Sequence, residues 1–251
     1  MIGLSEATFF RALTTCAELP DVREEVFRNH DDNQWWPRSV EDWRLRMVLA
    51  GWSTRVSYTM ISTYQSVVSQ AAGIGYERLC RLGDERLYDL VGSLGLFSAR
   101  KQYLQSLRCF IDTLDTDSEP LALPNDTLIS RMAKEVKGAG YKVAQCAVLY
   151  AKGYHCGIFP VDSGMKDMLG PCLGLQLPRS SIAHEVMRKH VEQLLNDAAE
   201  RTCDLARNTG YADLDLPADA APIWWAHLVL INFKRHYCNR RSPADCPPQS
   251  E

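Results

Sequence analysis

Apolar residues in this chain recur mostly at intervals of three and four, the spacing that puts them on one face of an α-helix. Alternation of the kind that a half-buried strand needs is scarce, so the expected fold class is all-α. Ser39-Val40-Glu41-Asp42 reads as a capping box, in which a hydroxyl accepts from first-turn amides while a carboxylate reaches back to the cap. The helix it predicts carries Trp43, Met47 and Val48 inward. Gly73-Ile74-Gly75 interrupts the following pattern. Gly83-Asp84-Glu85 then opens a helix with Leu87, Leu90, Val91 and Leu94 on one side, ending near Gly95. Tyr103, Leu104, Leu107, Phe110 and Ile111 form the next stripe, closed by a loop from Asp112 to Pro124.

Asn125-Asp126-Thr127 is a cap signal for a helix bearing Leu128, Ile129, Met132, Ala133 and Val136. Val143, Ala144, Ala147, Val148 and Ala151 mark a second one directly after it. Farther on, the pattern predicts one helix from about Ile182 to Arg207, a loop around Asp213 to Pro222 and a last apolar helix from near Trp224. The tail from Asn239 is basic and then Pro-rich. No internal repeat or low-complexity segment interrupts this series.

A chain of 251 residues, 46% hydrophobic and 24% charged, suits one large domain or two smaller ones sharing a seam. No apolar run approaches the roughly eighteen residues of a membrane span, and the first residues carry no secretory signal, so a cytoplasmic, nucleoid-compatible location is expected. Nine cysteines, an odd number without tight pairing, fit reduced thiols, with Cys109 and Cys146 on apolar helix faces. The net charge of −3 gives the molecule no general attraction for phosphates. Any nucleic-acid contact must use a local patch.

Candidate chemistry begins at Lys137-Gly138-Ala139-Gly140-Tyr141, a very short corner between two amphipathic helices. Glycine permits a tight turn, and the free amides that start the second helix suit a phosphate. The same residues are also compatible with an ordinary helical hairpin. Lys142 follows the corner at once, and an amine desolvated on an apolar helix becomes a nucleophile. Asp162 lies twenty residues on, in Phe159-Pro160-Val161-Asp162-Ser163-Gly164-Met165, where it can cap a helix and offer a carboxylate to positive charge developing at a sugar carbon.

Val136 to Ala144 followed by Val161-Asp162 resembles the helix-hairpin-helix DNA glycosylases, the superfamily of endonuclease III and the 8-oxoguanine glycosylases. Lys142-Val143-Ala144-Gln145-Cys146 is most similar to the latter, and Leu49 to Ser57 with Ile74 to Leu107 resembles the endonuclease III helical barrel. The resemblance implies a helical barrel over about residues 40–153, with the hairpin at about 126–153. A second helical domain of residues 1–39 plus 154–251 completes the fold, and the active site lies in the cleft between the two. It further implies a monomer acting on double-stranded DNA that carries a damaged or modified base. Lys137, Gly138, Ala139 and Gly140 would grip the backbone, Lys142 would form an imine with the sugar of a flipped nucleotide, and Asp162 would assist; β-elimination can then nick the strand. By position Leu96 and Trp52 are the candidate wedges for the vacated place in the duplex. Arg100, Lys101, Lys137, Lys234-Arg235-His236 and Arg240-Arg241 are candidates for the local basic surface. Trp35-Trp36-Pro37 resembles a stretch of the 3-methyladenine glycosylases in which aromatic stacking suits an electron-poor base.

Departures from the family pattern are equally specific. Lys137 stands where the usual hairpin has proline, Trp52 where endonuclease III has glutamine, and Gly164 where both relatives have a histidine. The tail offers only Cys238 and Cys246 where iron–sulfur members have four cysteines, so neither a metal nor any other cofactor is expected. Other readings compatible with the residues are a monofunctional enzyme in which Asp162 directs water onto an alkylated base, a non-catalytic DNA-binding protein, and a helical interaction module without a DNA role.

Overall fold

The computed structural model describes residues 3–31, 35, 37, 39–114 and 119–238, and every regular element among them is helical. In chain order these are α1 (Glu6–Glu18), α2 (Pro20–His30), α3 (Trp43–Trp52), α4 (Ile61–Ile74), α5 (Tyr76–Leu79), α6 (Asp84–Val91) and α7 (Phe97–Leu114). They continue with α8 (Asn125–Glu135), α9 (Tyr141–Lys152), α10 (Ser163–Leu173), α11 (Ala183–Asp197), α12 (Ala199–Ala206) and α13 (Ile223–Phe233). The class is all-α. The chain divides into two compact units, one of Met1–Asn33 and Tyr154–Glu251, the other of Gln34–Gly153.

In the unit Gln34–Gly153 the inward faces of α3, α7, α8 and α9 form the core, and α3 packs most extensively on α9. Gly51 is obligatory for this packing. A Cβ there would sit 2.1 Å from the Tyr103 ring, while the Tyr103 hydroxyl donates to the Met47 carbonyl at 2.7 Å. Trp52, Tyr64, Leu107 and Val148 are sealed from water, each contributing about 1.5–3 kcal/mol of apolar burial. The expected capping box is corrected here: Asp42, not Ser39, caps α3, its carboxylate accepting from the Arg44 amide at 2.9 Å. Arg44 grips the same carboxylate and so anchors the cap.

In the other unit α13 is buried along its whole length except at His227, and it packs on α1 and α2. The helix expected to run from Ile182 to Arg207 is broken between α11 and α12, where Ala198 leaves helical geometry at φ −124°, ψ 42°. Arg188 on α11 is buried, but it is matched by Glu185 at 2.6 Å and Glu192 at 2.6 Å, so its charge is neutralised where it lies. The second oxygen of Glu192 accepts from the Phe159 amide at 2.8 Å, which ties α11 to the extended segment leading to Asp162. No helix among the described residues is long and apolar enough to cross a membrane. The eight described cysteines form no disulfide, and Cys109, expected on an apolar face, is exposed.

Candidate functional site

The corner between α8 and α9 is built by backbone bonds. Val136 closes α8 by donating to the Met132 carbonyl at 3.0 Å, the Lys137 amide donates to the Ser106 hydroxyl at 2.9 Å, and Ala139 donates back to the Val136 carbonyl at 3.1 Å. Ala139 is buried and pins the turn, whereas Lys137, Gly138 and Gly140 face solvent. Gly138 has φ +85°, a left-handed conformation, and a Cβ there would meet only ordinary contact at 3.7 Å. Backbone conformation, not space, requires the glycine. Gly140 occupies the N-cap position of α9 and has no side chain with which to cap it. No side chain among the described residues caps the first-turn amides of α9, which is the arrangement an anion completes.

Lys142 lies half-buried in that first turn and has no hydrogen bond or ion pair among the described residues. Below it the faces of α9 are closed by Val143, Ala144 and Gln145, all buried. The sequence-predicted hairpin residues and Lys142 thus share one turn of one unit.

Asp162 belongs to the other unit, where it caps α10: its side chain accepts from the Met165 amide at 2.6 Å in extended geometry (φ −85°, ψ 168°). It is half-buried. Behind it, the ring of His227 is stacked on Trp224 at 5.1 Å and meets Phe159 edge-on at 5.5 Å. Burial holds the imidazole down at about 3, outweighing the pull of the Asp162 carboxylate, with Arg235 pressing the same way as burial and a backbone bond at Pro160 opposing it. A neutral ring therefore lies near the Asp162 charge.

Two candidate DNA contacts are corrected by burial. Trp52 is fully enclosed and donates from its indole to the Arg100 carbonyl at 3.3 Å, so it has no surface from which to enter a duplex. Arg100 is buried too, its guanidinium donating to the carbonyls of Trp52, Thr54, Leu94 and Gly95. Lys101 pairs with Asp84 at 2.5 Å. Leu96 alone of the wedge pair is exposed, at 49%, and it takes a left-handed φ of +52°. Trp35 leans on Tyr64 at 5.6 Å as a packing residue, while Trp36, Arg240, Arg241 and Cys246 lie outside the described residues.

No family model matches the chain, and no curated protein is significantly similar to it. Two participants near Asp162 escaped sequence reasoning in their local roles. His227 was legible only as a lone histidine in the apolar run Ile223–Phe233, and Lys234 only as one of several basic residues.

Proposed function

We propose that this chain is a DNA glycosylase that flips out and excises a damaged or modified base, with Lys142 as the nucleophile and Asp162 as the assisting carboxylate. The observation that carries this reading is the start of α9: first-turn amides without a side-chain cap, set behind the left-handed Gly138, with the amine of Lys142, which has no partner among the described residues, in the same turn. A backbone phosphate suits the amides, and an electrophilic sugar carbon suits the amine.

The chemistry balances without a cofactor. The Lys142 nitrogen bonds to the anomeric carbon as the bond from that carbon to the base breaks, and the departing base takes the electron pair and a proton. The amine gives up a proton as the sugar ring opens, leaving an imine; loss of a neighbouring proton then expels the 3′ phosphate. Asp162, acceptor-only when ionised, stabilises positive charge on the sugar in the first step. Because the molecule is acidic overall, phosphate binding has to come from local donors such as the α9 amides and Lys137. The expected partner is double-stranded DNA, engaged by a single copy of the chain.

Borohydride trapping on duplexes that each carry one lesion, with an abasic duplex as control, tests this directly. Wild type should form a covalent adduct that Lys142→Ala loses. Base release without any adduct, abolished by Asp162→Asn, would replace the imine route with a water-directing one. No base release and no adduct on any duplex would overturn the glycosylase reading.

A further inference from the structure

The first turn of α10 has a lysine where its own sequence has no side chain. A Cβ on Gly164, two residues beyond Asp162, would lie 2.5 Å from Nζ of Lys234, 2.6 Å from its Cε and 3.1 Å from its Cδ. Glycine at 164 therefore leaves the room that the end of the Lys234 side chain occupies. Lys234 is the first residue of a π turn, Lys234–Cys238, that continues α13, and α10 packs on both α13 and this turn. A π turn displaces the side chains that follow a regular helix and is frequent at functional positions.

The surrounding charges do not account for Lys234. Among the described residues it has no hydrogen bond or ion pair. Its neighbours on the turn look elsewhere: Arg235 donates to Asn232 at 3.4 Å, and the Tyr237 hydroxyl reaches Asp21 at 3.5 Å. Asp162 spends one oxygen on the Met165 amide. Holding a lysine over a glycine loses side-chain entropy, and no ion pair among the described residues offsets that loss. An external anion would.

We propose that Lys234 is a substrate-phosphate residue, binding a phosphate that adjoins the flipped nucleotide and so setting Asp162 against that nucleotide's sugar. The inference rests on the glycosylase reading and adds to it the residue that grips the backbone on the Asp162 side. Gly164 is part of the device, because any side chain there would push the ammonium away.

The test is equilibrium binding of the full chain to a duplex containing a tetrahydrofuran abasic analogue, measured across salt concentrations. It is repeated with the phosphate on either side of the analogue replaced by a neutral methylphosphonate. Lys234→Ala should weaken binding and lower the slope of log affinity against log salt by about one, the signature of one lost phosphate contact, while Lys234→Arg keeps the slope. One of the two methylphosphonates should weaken wild type and leave Lys234→Ala unaffected. Gly164→Ala should reproduce the loss with the lysine still present, and thermal melting checks that each variant is folded. An unchanged slope and unchanged methylphosphonate sensitivity in Lys234→Ala would overturn the proposal alone, as would a borohydride adduct lost in Lys234→Ala and kept in Lys142→Ala. A wild type that neither prefers the analogue to undamaged duplex nor traps overturns the glycosylase reading and this inference together.

Discussion

Arg100 and Lys142 are basic side chains of the same unit, each beside a glycine-bearing turn, and the protein treats them in opposite ways. Arg100 is 3% exposed, and its guanidinium donates to the carbonyls of Gly95 at 2.8 Å, Leu94 at 3.0 Å and Thr54 at 3.2 Å, and to that of Trp52. Burial lowers its pKa from the ordinary value, but the carbonyl cage satisfies the charge it keeps. Lys142 sits half-buried at the head of α9 with no acceptor among the described residues. A basic group with its donors filled by backbone is a structural staple joining α3, the turn after it and the loop before α7. One with no partner among the described residues is available for chemistry.

Exchanging the roles by mutation is the severest test of that contrast. Lys142→Ala should abolish the borohydride adduct and leave stability within about 0.5 kcal/mol of wild type, as a side chain without a hydrogen bond or ion pair among the described residues allows. Arg100→Ala should do the reverse, lowering stability by about 3 kcal/mol through carbonyls left buried without donors and a cavity where the side chain was. Urea denaturation beside trapping reads both. If Arg100→Ala were stable and defective only in binding a duplex, Arg100 would belong with Lys142.

Histidines in the other unit repeat the contrast in a weaker form and set a pH dependence. His30 and His227 are both pulled below the ordinary 6.5, in each case chiefly by burial. For His30, the bond to Asp31 and the charge of Asp215 push upward and His155 pushes downward; for His227, Asp162 and the Pro160 backbone push upward and Arg235 downward. Both rings fold neutral, so below pH 6.5 the unfolded chain binds protons that the folded one refuses. Stability is then greatest above 6.5 and falls as the pH drops; for His227 the fall runs toward about 3, by up to about 1.4 kcal/mol per pH unit. Asp215 acts in a separate, more acidic window. Its carboxylate is held below 3.8 by bonds from His155 and Tyr154, so its contribution is present above 3.8 and is lost below it. Denaturation midpoints at pH 7 and pH 5 should differ accordingly, and His227→Phe should flatten the difference.

Helical periodicity made most of the fold legible, because amphipathic faces such as Leu87, Leu90, Val91 and Leu94 depend only on local spacing. What it missed were competitions between neighbours. Asp42 displaced Ser39 as a cap because Arg44 holds its carboxylate in place, and the break at Ala198 has no glycine or proline to announce it. For the site, the glycines of the hairpin and the cap at Asp162 were readable from residue type alone. The fate of Arg100 and Trp52 was not, since burial is decided by partners about fifty residues away in sequence, and the contact of Lys234 with Gly164 joins positions farther apart still.

Leu96 gives the smallest expected effect and the finest test, because it opposes stability to function at one residue. It is a 49% exposed leucine at φ +52°, where a side chain with a Cβ is strained by about 1–2 kcal/mol. Its carbonyl accepts from the Arg100 amide at 3.0 Å, the bond that opens α7, so the left-handed residue is tied into the start of that helix. A residue that merely covers surface gains nothing from that conformation, whereas an apolar group held outward is what a wedge in a duplex requires. Leu96→Gly should raise stability by up to about 1 kcal/mol and weaken binding to the abasic-analogue duplex. Leu96→Asn, which tolerates left-handed backbone but lacks the apolar side chain, should separate the two effects by relieving strain with less gain in chain entropy than glycine gives the unfolded state. Should both variants melt higher and bind the duplex as wild type does, Leu96 would be a strained surface residue with no part in the interface.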